Sequence, residues 1–280
     1  MTVPLDRDGC GVRIAVVDSG VDSTHPWFDN FEIAHRHVER APAGYCVVED
    51  RGGDQSGHGT ACAGIIHRMV PKALLTSVRA LDSDGRCSRA ALTTAIAYCI
   101  KERFGVVNLS LGIDVPRKAP LKVTDYRPIL SLYELADAAF TAGVVLVASG
   151  PNISHFRTYP GRFKSLIGVG RGDFDDWDTL RTAVSADHEL VAPGTKISAP
   201  ALGGGERRWT GTSFACPFVT SQVARIRAAD PKLGIEAIKA RVHVLAQSHA
   251  SGSDASGSDA TGSDATGSNA TRSNATESDG

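Results

Sequence analysis

Five short apolar runs, spaced by segments of helical period, narrow this chain to one kind of architecture. Val12 to Val17, Leu74 to Val78, Val106 to Leu111, Val144 to Ala148 and Leu166 to Val169 are mainly apolar stretches of four to six residues. Such runs read as strands buried on both faces. Between two of them, Arg89 to Arg103 places Leu92, Ile96, Cys99 and Arg103 on one stripe, with Ser88 as its N-cap. A second helix is expected to start at Ser131, through a capping box with Glu134, and to stop at Gly143. Strand, helix, strand, helix, strand predicts an α/β fold in three layers: a mostly parallel sheet flanked by helices on both faces.

The chain has 280 residues, 42% of them hydrophobic, and a formal charge of −1, which suits one large single-core domain. The organisation expected is a short extension over 1–11, a globular domain over 12–248 and a tail over 249–280. From Ser251 onward Ser-Gly-Ser-Asp-Ala and its Thr-Gly-Ser-Asp-Ala and Asn variants repeat every five residues. With no large side chain to bury, this repeat is expected to be disordered. Its five acids and one arginine give −4, leaving about +3 for the rest. The first residues carry no apolar signal segment, and no apolar run is long enough to span a bilayer. The six cysteines form no C-x-x-C pair, so zinc is not expected and reduced thiols in a cytosol are. Neither a nucleic-acid nor a membrane partner is expected.

Three segments carry chemistry. Asp18, in Val-Val-Asp-Ser-Gly, follows a strand of Ile, Ala and Val and so falls at the carboxyl end of a parallel strand, where open α/β sheets place their sites. Taken alone, it is equally an ordinary turn or cap acid. His58 lies between two glycines with Ala61, Ile65 and Met69 behind it, which puts an imidazole on the first turn of a buried helix; a histidine there is commonly structural. Ser213, in Gly-Thr-Ser-Phe-Ala, precedes a stripe of Ala215, Val219, Val223 and Ile226, with Pro217 expected in the first helical turn. Its hydroxyl would project from a helix N-terminus, whose dipole favours negative charge, although Thr-Ser is also a plain N-cap. Together the three supply a carboxylate, an imidazole and a hydroxyl, the groups that make a serine nucleophilic.

The blocks Val-Val-Asp-Ser-Gly-Val-Asp-Ser-Thr-His-Pro from Val16, Gly-His-Gly-Thr-Ala-Cys-Ala-Gly from Gly57 and Gly-Thr-Ser-Phe-Ala-Cys-Pro from Gly211 resemble the signature blocks of subtilisin-like serine proteases. Asn108 to Gly112, Tyr159 to Gly161 and Ala192 to Gly194 extend the likeness across roughly 12–227. An α/β-hydrolase would show G-x-S-x-G and the order Ser, Asp, His instead. The resemblance implies a subtilisin-like fold, peptide-bond hydrolysis through an acyl-enzyme, and a triad of Ser213 as nucleophile, His58 as proton carrier and Asp18 as its orienting carboxylate. It implies Asn152 as an oxyanion donor beside the backbone N–H of Ser213, with Pro151 standing where the family has glycine.

A peptide or protein substrate would lie as an extended strand between Ser110-Leu111-Gly112 and the region of Gly85, with Thr158 narrowing the first side pocket. Arg86 and Arg89 would then favour acidic residues upstream of the cut. Some family members carry a cysteine at the position of Cys62 and respond to thiol reagents. The tight calcium loop of secreted members is expected to be missing after Ile66, with Asp187 and Glu189 as a weak candidate cation pair. No cofactor is expected, nor is a propeptide of the usual size before Val12. These features imply a cytosolic endopeptidase that processes particular peptides. The alternatives are a non-catalytic peptide-binding scaffold, favoured by Pro151 and by Phe214 and Phe218 after the serine, and a peptide ligase or macrocyclase.

Overall fold

The computed structural model describes residues 3–117, 123–183 and 185–250. The expected organisation over 249–280, including the repeat tail, lies almost wholly outside the described residues.

Strands run β1 (Arg13–Asp18), β2 (Gly20–Val21), β3 (Ile33–Ala41), β4 (Gly44–Glu49), β5 (Gly53–Asp54), β6 (Leu74–Arg79), β7 (Val106–Leu109), β8 (Ile113–Pro116) and β9 (Val145–Ser149). They continue with β10 (Phe156–Tyr159), β11 (Ile167–Gly172), β12 (Arg181–Thr182), β13 (Leu190–Pro193), β14 (Ile197–Pro200) and β15 (Glu206–Trp209). The helices are α1 (His58–Met69), α2 (Arg89–Lys101), α3 (Val123–Ala142), α4 (Thr212–Ala229) and α5 (Ile235–Ala250).

One nine-stranded sheet, ordered β12-β13-β11-β9-β7-β1-β6-β3-β4, holds all five predicted strands. β13, β11, β9, β7, β1, β6 and β3 are mutually parallel, and only the edge strands β12 and β4 run antiparallel to their neighbours. Side chains alternate across such a sheet, and its central strands are apolar on both faces. Ile14 and Val16 of β1, Val106 of β7, and Val145 and Val147 of β9 join one core with α1, α4 and α5. Ala15, Val17, Val107, Leu109, Leu146 and Ala148 join the other with α2 and α3. This is the three-layer α/β arrangement read from the sequence. Position 18 continues the phase of Ile14 and Val16, so Asp18 faces the α1 and α4 layer.

The helices refine three expectations. Ser88 caps α2 by accepting from the Ala91 N–H at 3.1 Å. α2 ends at Lys101, however, and Arg103 is exposed with φ +54, so it leaves the stripe. α3 starts at Val123 rather than Ser131, because the buried phase Ile129, Leu132, Ala136, Ala139 runs straight through Ser131 and overrides the local capping pattern.

β1 and α1 meet at backbone contact. A Cβ on Gly59 would lie 2.1 Å from the Gly20 carbonyl oxygen and 3.1 Å from Asp18 Cβ, so only glycine permits the approach. Gly59→Ala should therefore cost about 1–3 kcal/mol, the usual range for forced overpacking. Urea unfolding would read it as a lower midpoint at unchanged slope.

Candidate active site

Parallel strands deliver their following loops to one edge. Asp18 ends β1; the loop holding Gly85 follows β6 on one side, and Ser110-Leu111-Gly112 follows β7 on the other. Gly150-Pro151-Asn152 follows β9, the next strand out. The carboxyl edge therefore presents, in order, the Gly85 loop, Asp18, the 110–112 segment and the turn that holds Asn152.

Asp18 is 1% exposed, and its Oδ1 accepts from His58 Nδ1 at 2.7 Å and from the Ser19 N–H at 2.8 Å. That fixes the imidazole with Nδ1 protonated and Nε2 free to accept. A second carboxylate, which sequence reading missed, positions the helix that carries His58. Asp54 Oδ2 accepts from the Thr60 N–H (2.9 Å) and hydroxyl (2.6 Å), and its Oδ1 from Ser19 Oγ (2.8 Å) and the Ser56 N–H (3.0 Å). Ser19 Oγ accepts in turn from the Gly59 N–H at 3.0 Å. Orphan donors at the start of α1 are thus satisfied by Ser19, just after β1, and by Asp54 of β5, with negative charge where the dipole wants it. The Asp-x-x-Gly-His spacing from Asp54 to His58 was the available signal.

Gly211 caps α4 and Ser213 is its second residue. Pro217 is the sixth residue, in the second turn rather than the first. A proline there cannot donate to the carbonyl four residues back, which is that of Ser213. Instead the Ser213 carbonyl accepts from Ser110 Oγ at 2.7 Å and from the Cys62 thiol at 3.6 Å. Ser110 Oγ accepts from Asn108 Nδ2 at 2.9 Å, and Asn108 Oδ1 accepts from Thr220 Oγ1 at 3.0 Å. The backbone of Ser213 is thereby tied to β7, α1 and the next turns of its own helix. The ring of Phe214 lies 5.0 Å from that of His58, so the residue after the serine packs directly on the imidazole.

Asn152 stands one residue from the serine: its Oδ1 accepts from the Thr212 N–H at 2.8 Å, while Thr212 Oγ1 donates to the Gly150 carbonyl at 2.8 Å. With Oδ1 engaged, Nδ2 is the free half of the amide. Neither Nδ2 nor the Ser213 N–H has an acceptor among the described residues. Pro151 does not carry Asn152 away from the helix start.

Gly112 and Thr158 adjoin, since a Cβ on Gly112 would lie 2.7 Å from Thr158 Cγ2. Thr158 Oγ1 donates to Asp114 Oδ1 at 2.6 Å across the β8 and β10 pair. Leu111 is buried and Gly85, at φ +69, sits in the 82–86 turn. Arg86 is exposed in that same turn, and Arg89 is the first residue of α2.

Asp187 and Glu189 are not an open cation pair. Arg117 and Arg162 take the two oxygens of Asp187, and Lys239 lies 3.2 Å from Glu189. Asp18, His58 and Cys62 form the one three-ligand cluster among the described residues. It is the acid and imidazole pair plus a thiol, and burial first, then the Asp18 charge, pushes the Cys62 thiol well above its ordinary value. A protonated thiol is a poor ligand and a poor nucleophile.

Residues 9–270 match the Subtilase family, and the chain belongs to it. It is 29% identical over 238 residues to Subtilisin NAT of Bacillus subtilis subsp. natto, covering 80% of this chain and 57% of that protein. It is 28% identical to Subtilisin of Bacillus pumilus, covering 80% and 79%. The chain thus spans little more than half the length of the first of these relatives. The crystal structure of a cold adapted subtilisin-like serine proteinase superposes with a TM-score of 0.66 at 23% identity, over 86% of this chain and 84% of that one. The fold is subtilisin-like.

Burial lowers the affinity of His58 for its proton, but the charge of Asp18 and its hydrogen bond outweigh this and raise the pKa above 6.5. With the folded value above the unfolded one, the pair's stabilisation is full below about pH 6.5 and is lost as pH rises through the folded value. An NMR titration of His58 should show its midpoint above 6.5, and Asp18→Asn should move it down; a midpoint unmoved by that substitution would contradict the coupling.

Proposed function

We propose that the chain is a serine endopeptidase that processes particular peptides in the cytosol. The observation that carries this is the joining, at one edge of one sheet, of a buried Asp18 and His58 pair with a serine at a helix N-terminus and two unengaged donors beside it. Ser213 Oγ attacks the peptide carbonyl as His58 Nε2 takes its proton, and Asp18 stabilises the imidazolium. The tetrahedral oxyanion accepts from the Ser213 N–H and Asn152 Nδ2, helped by the positive end of α4. His58 then protonates the leaving amine, and water resolves the acyl-enzyme through the same steps reversed. The names of the relatives, subtilisins and a Minor extracellular protease Epr from Bacillus subtilis, support the reaction class.

The extended substrate would pair with Ser110-Leu111-Gly112 and approach Gly85, with Thr158 limiting the first pocket. Restricted cleavage fits that shallow pocket. A reducing compartment fits the cysteines, all six of which are unpaired. No helix among the described residues is long and apolar enough to cross a membrane.

A fluorophosphonate probe should label the wild type and not Ser213→Ala; folded wild type that resists labelling would leave a peptide-binding scaffold. Asn152→Ala should lower kcat about 10²–10³-fold with little change in KM. Since His58 must be neutral to act as base, the acid limb of kcat/KM should fall above pH 6.5 and coincide with the NMR midpoint.

A further inference from the structure

The β14 and β15 hairpin brings to the site a charge that the triad does not use. Side chains alternate along β15, so Glu206 and Arg208 share one face and Arg207 and Trp209 the other. The first face is tied outward, with Glu206 accepting from Ser198 Oγ at 2.7 Å and from Trp27 Nε1 at 3.0 Å. The second faces the triad. Trp209, 6% exposed, meets His58 edge-on with centroids 6.4 Å apart and Phe214 at 4.8 Å. The Arg207 guanidinium lies over the Trp209 ring, 3.3 Å from its centroid.

That platform is held firmly. Trp209 Nε1 donates to the Pro200 carbonyl at 3.0 Å, and His25 Nε2 donates to the Gly205 carbonyl at 2.8 Å. Arg207 is exposed, and no carboxylate among the described residues pairs with it. Its neighbours in kind do have acids: Arg79 holds Asp50, and Arg117 and Arg162 hold Asp187. Partial desolvation lowers the pKa of Arg207, and its charge acts on His58 in the direction that lowers the imidazole's.

Where this charge meets substrate follows from the proton transfers. His58 protonates the leaving amine, so the residues that follow the cut bond depart past whatever packs on the imidazole. That surface is Phe214 and Trp209, with Arg207 on top, whereas the acyl half lies along Ser110-Leu111-Gly112. We propose that Arg207 makes the enzyme select peptides with a carboxylate side chain in the first two residues after the cleaved bond. The inference rests on the serine endopeptidase reading. The contact acts twice: a guanidinium can grip a carboxylate in bidentate fashion while stacked on an aromatic ring. The bound carboxylate also offsets the repulsion between Arg207 and the imidazolium formed in the transition state, so kcat should rise as KM falls.

The test uses the full chain and quenched-fluorescent peptides with one acyl half, taken from a sequence the enzyme cuts in a proteome-derived peptide library. The peptides differ only in Glu, Gln or Lys at the two positions after the bond. Wild type should favour Glu over Gln in kcat/KM by roughly two- to fivefold, the upper range of one exposed ion pair. The preference should flatten at about 1 M salt, where the screening length is about 3 Å. Arg207→Gln should bring the ratio close to one, Arg207→Lys should keep part of it, and Arg207→Glu should favour Lys. Arg207→Gln should also raise the acid-limb pKa with the Gln peptide, a shift that lost packing alone would not produce. A wild-type ratio near one, or a preference that survives Arg207→Gln, overturns the proposal while fluorophosphonate labelling leaves the endopeptidase reading intact. Wild type that is not labelled overturns both.

Discussion

The Ser213 carbonyl is the joint on which the site turns. Pro217 removes the helical partner it would otherwise have, and an unsatisfied buried acceptor costs about 1–3 kcal/mol. Ser110 Oγ supplies the replacement at 2.7 Å, and Ser110 is itself fixed through Asn108 to Thr220. A missing hydrogen bond in one helix thereby becomes a bond between helix and sheet. Ser213 is set by the sheet's carboxyl edge as well as by its own helix, so Ser213, Asp18 and Asn152 share one frame of reference.

The second half of that frame is the contact of α1 with β1. Gly59 allows backbone approach, and Asp54 accepts from four donors, two of them on Thr60 in the first turn of α1, while Ser19, next to Asp18, bridges Asp54 to the Gly59 N–H. The 2.7 Å bond between Asp18 and His58 is therefore over-determined by its surroundings. This rigidity lets a buried carboxylate raise the imidazole pKa instead of swinging away to solvent.

Sequence reading reached the parallel sheet because β1, β7, β9 and the first four residues of β11 are buried on both faces and so carry near-continuous apolar runs, while β6 kept enough of the pattern in Leu74, Leu75 and Val78. It missed the β3 and β4 hairpin, where His35, Arg36, His37, Glu39 and Arg40 mark a half-exposed sheet margin rather than a core strand. Asp18, His58 and Ser213 were legible because each sits in a short segment whose neighbours are themselves constrained. Asp54 was not, since its function is to satisfy backbone donors, which any carboxylate at a helix start could do. Pro217 was assigned to the wrong turn because local pattern does not fix where a helix begins, and its effect on Ser213 depends on that count. Arg207 was invisible because only the four-residue register of β15 decides which way it faces. The Asp187 and Glu189 pair misled for the converse reason: the sequence does not show Arg117, Arg162 and Lys239 arriving from distant elements.

The ties on the Ser213 carbonyl join residues 103 and 151 positions apart in the chain. No local piece of structure can contain them, because each closes a long loop whose entropy cost the contacts of the assembled fold must offset. A chain whose sheet edge has not yet formed holds Asp18, His58 and Ser213 but not their alignment. The arrangement is a property of the completed fold and of no single segment of it.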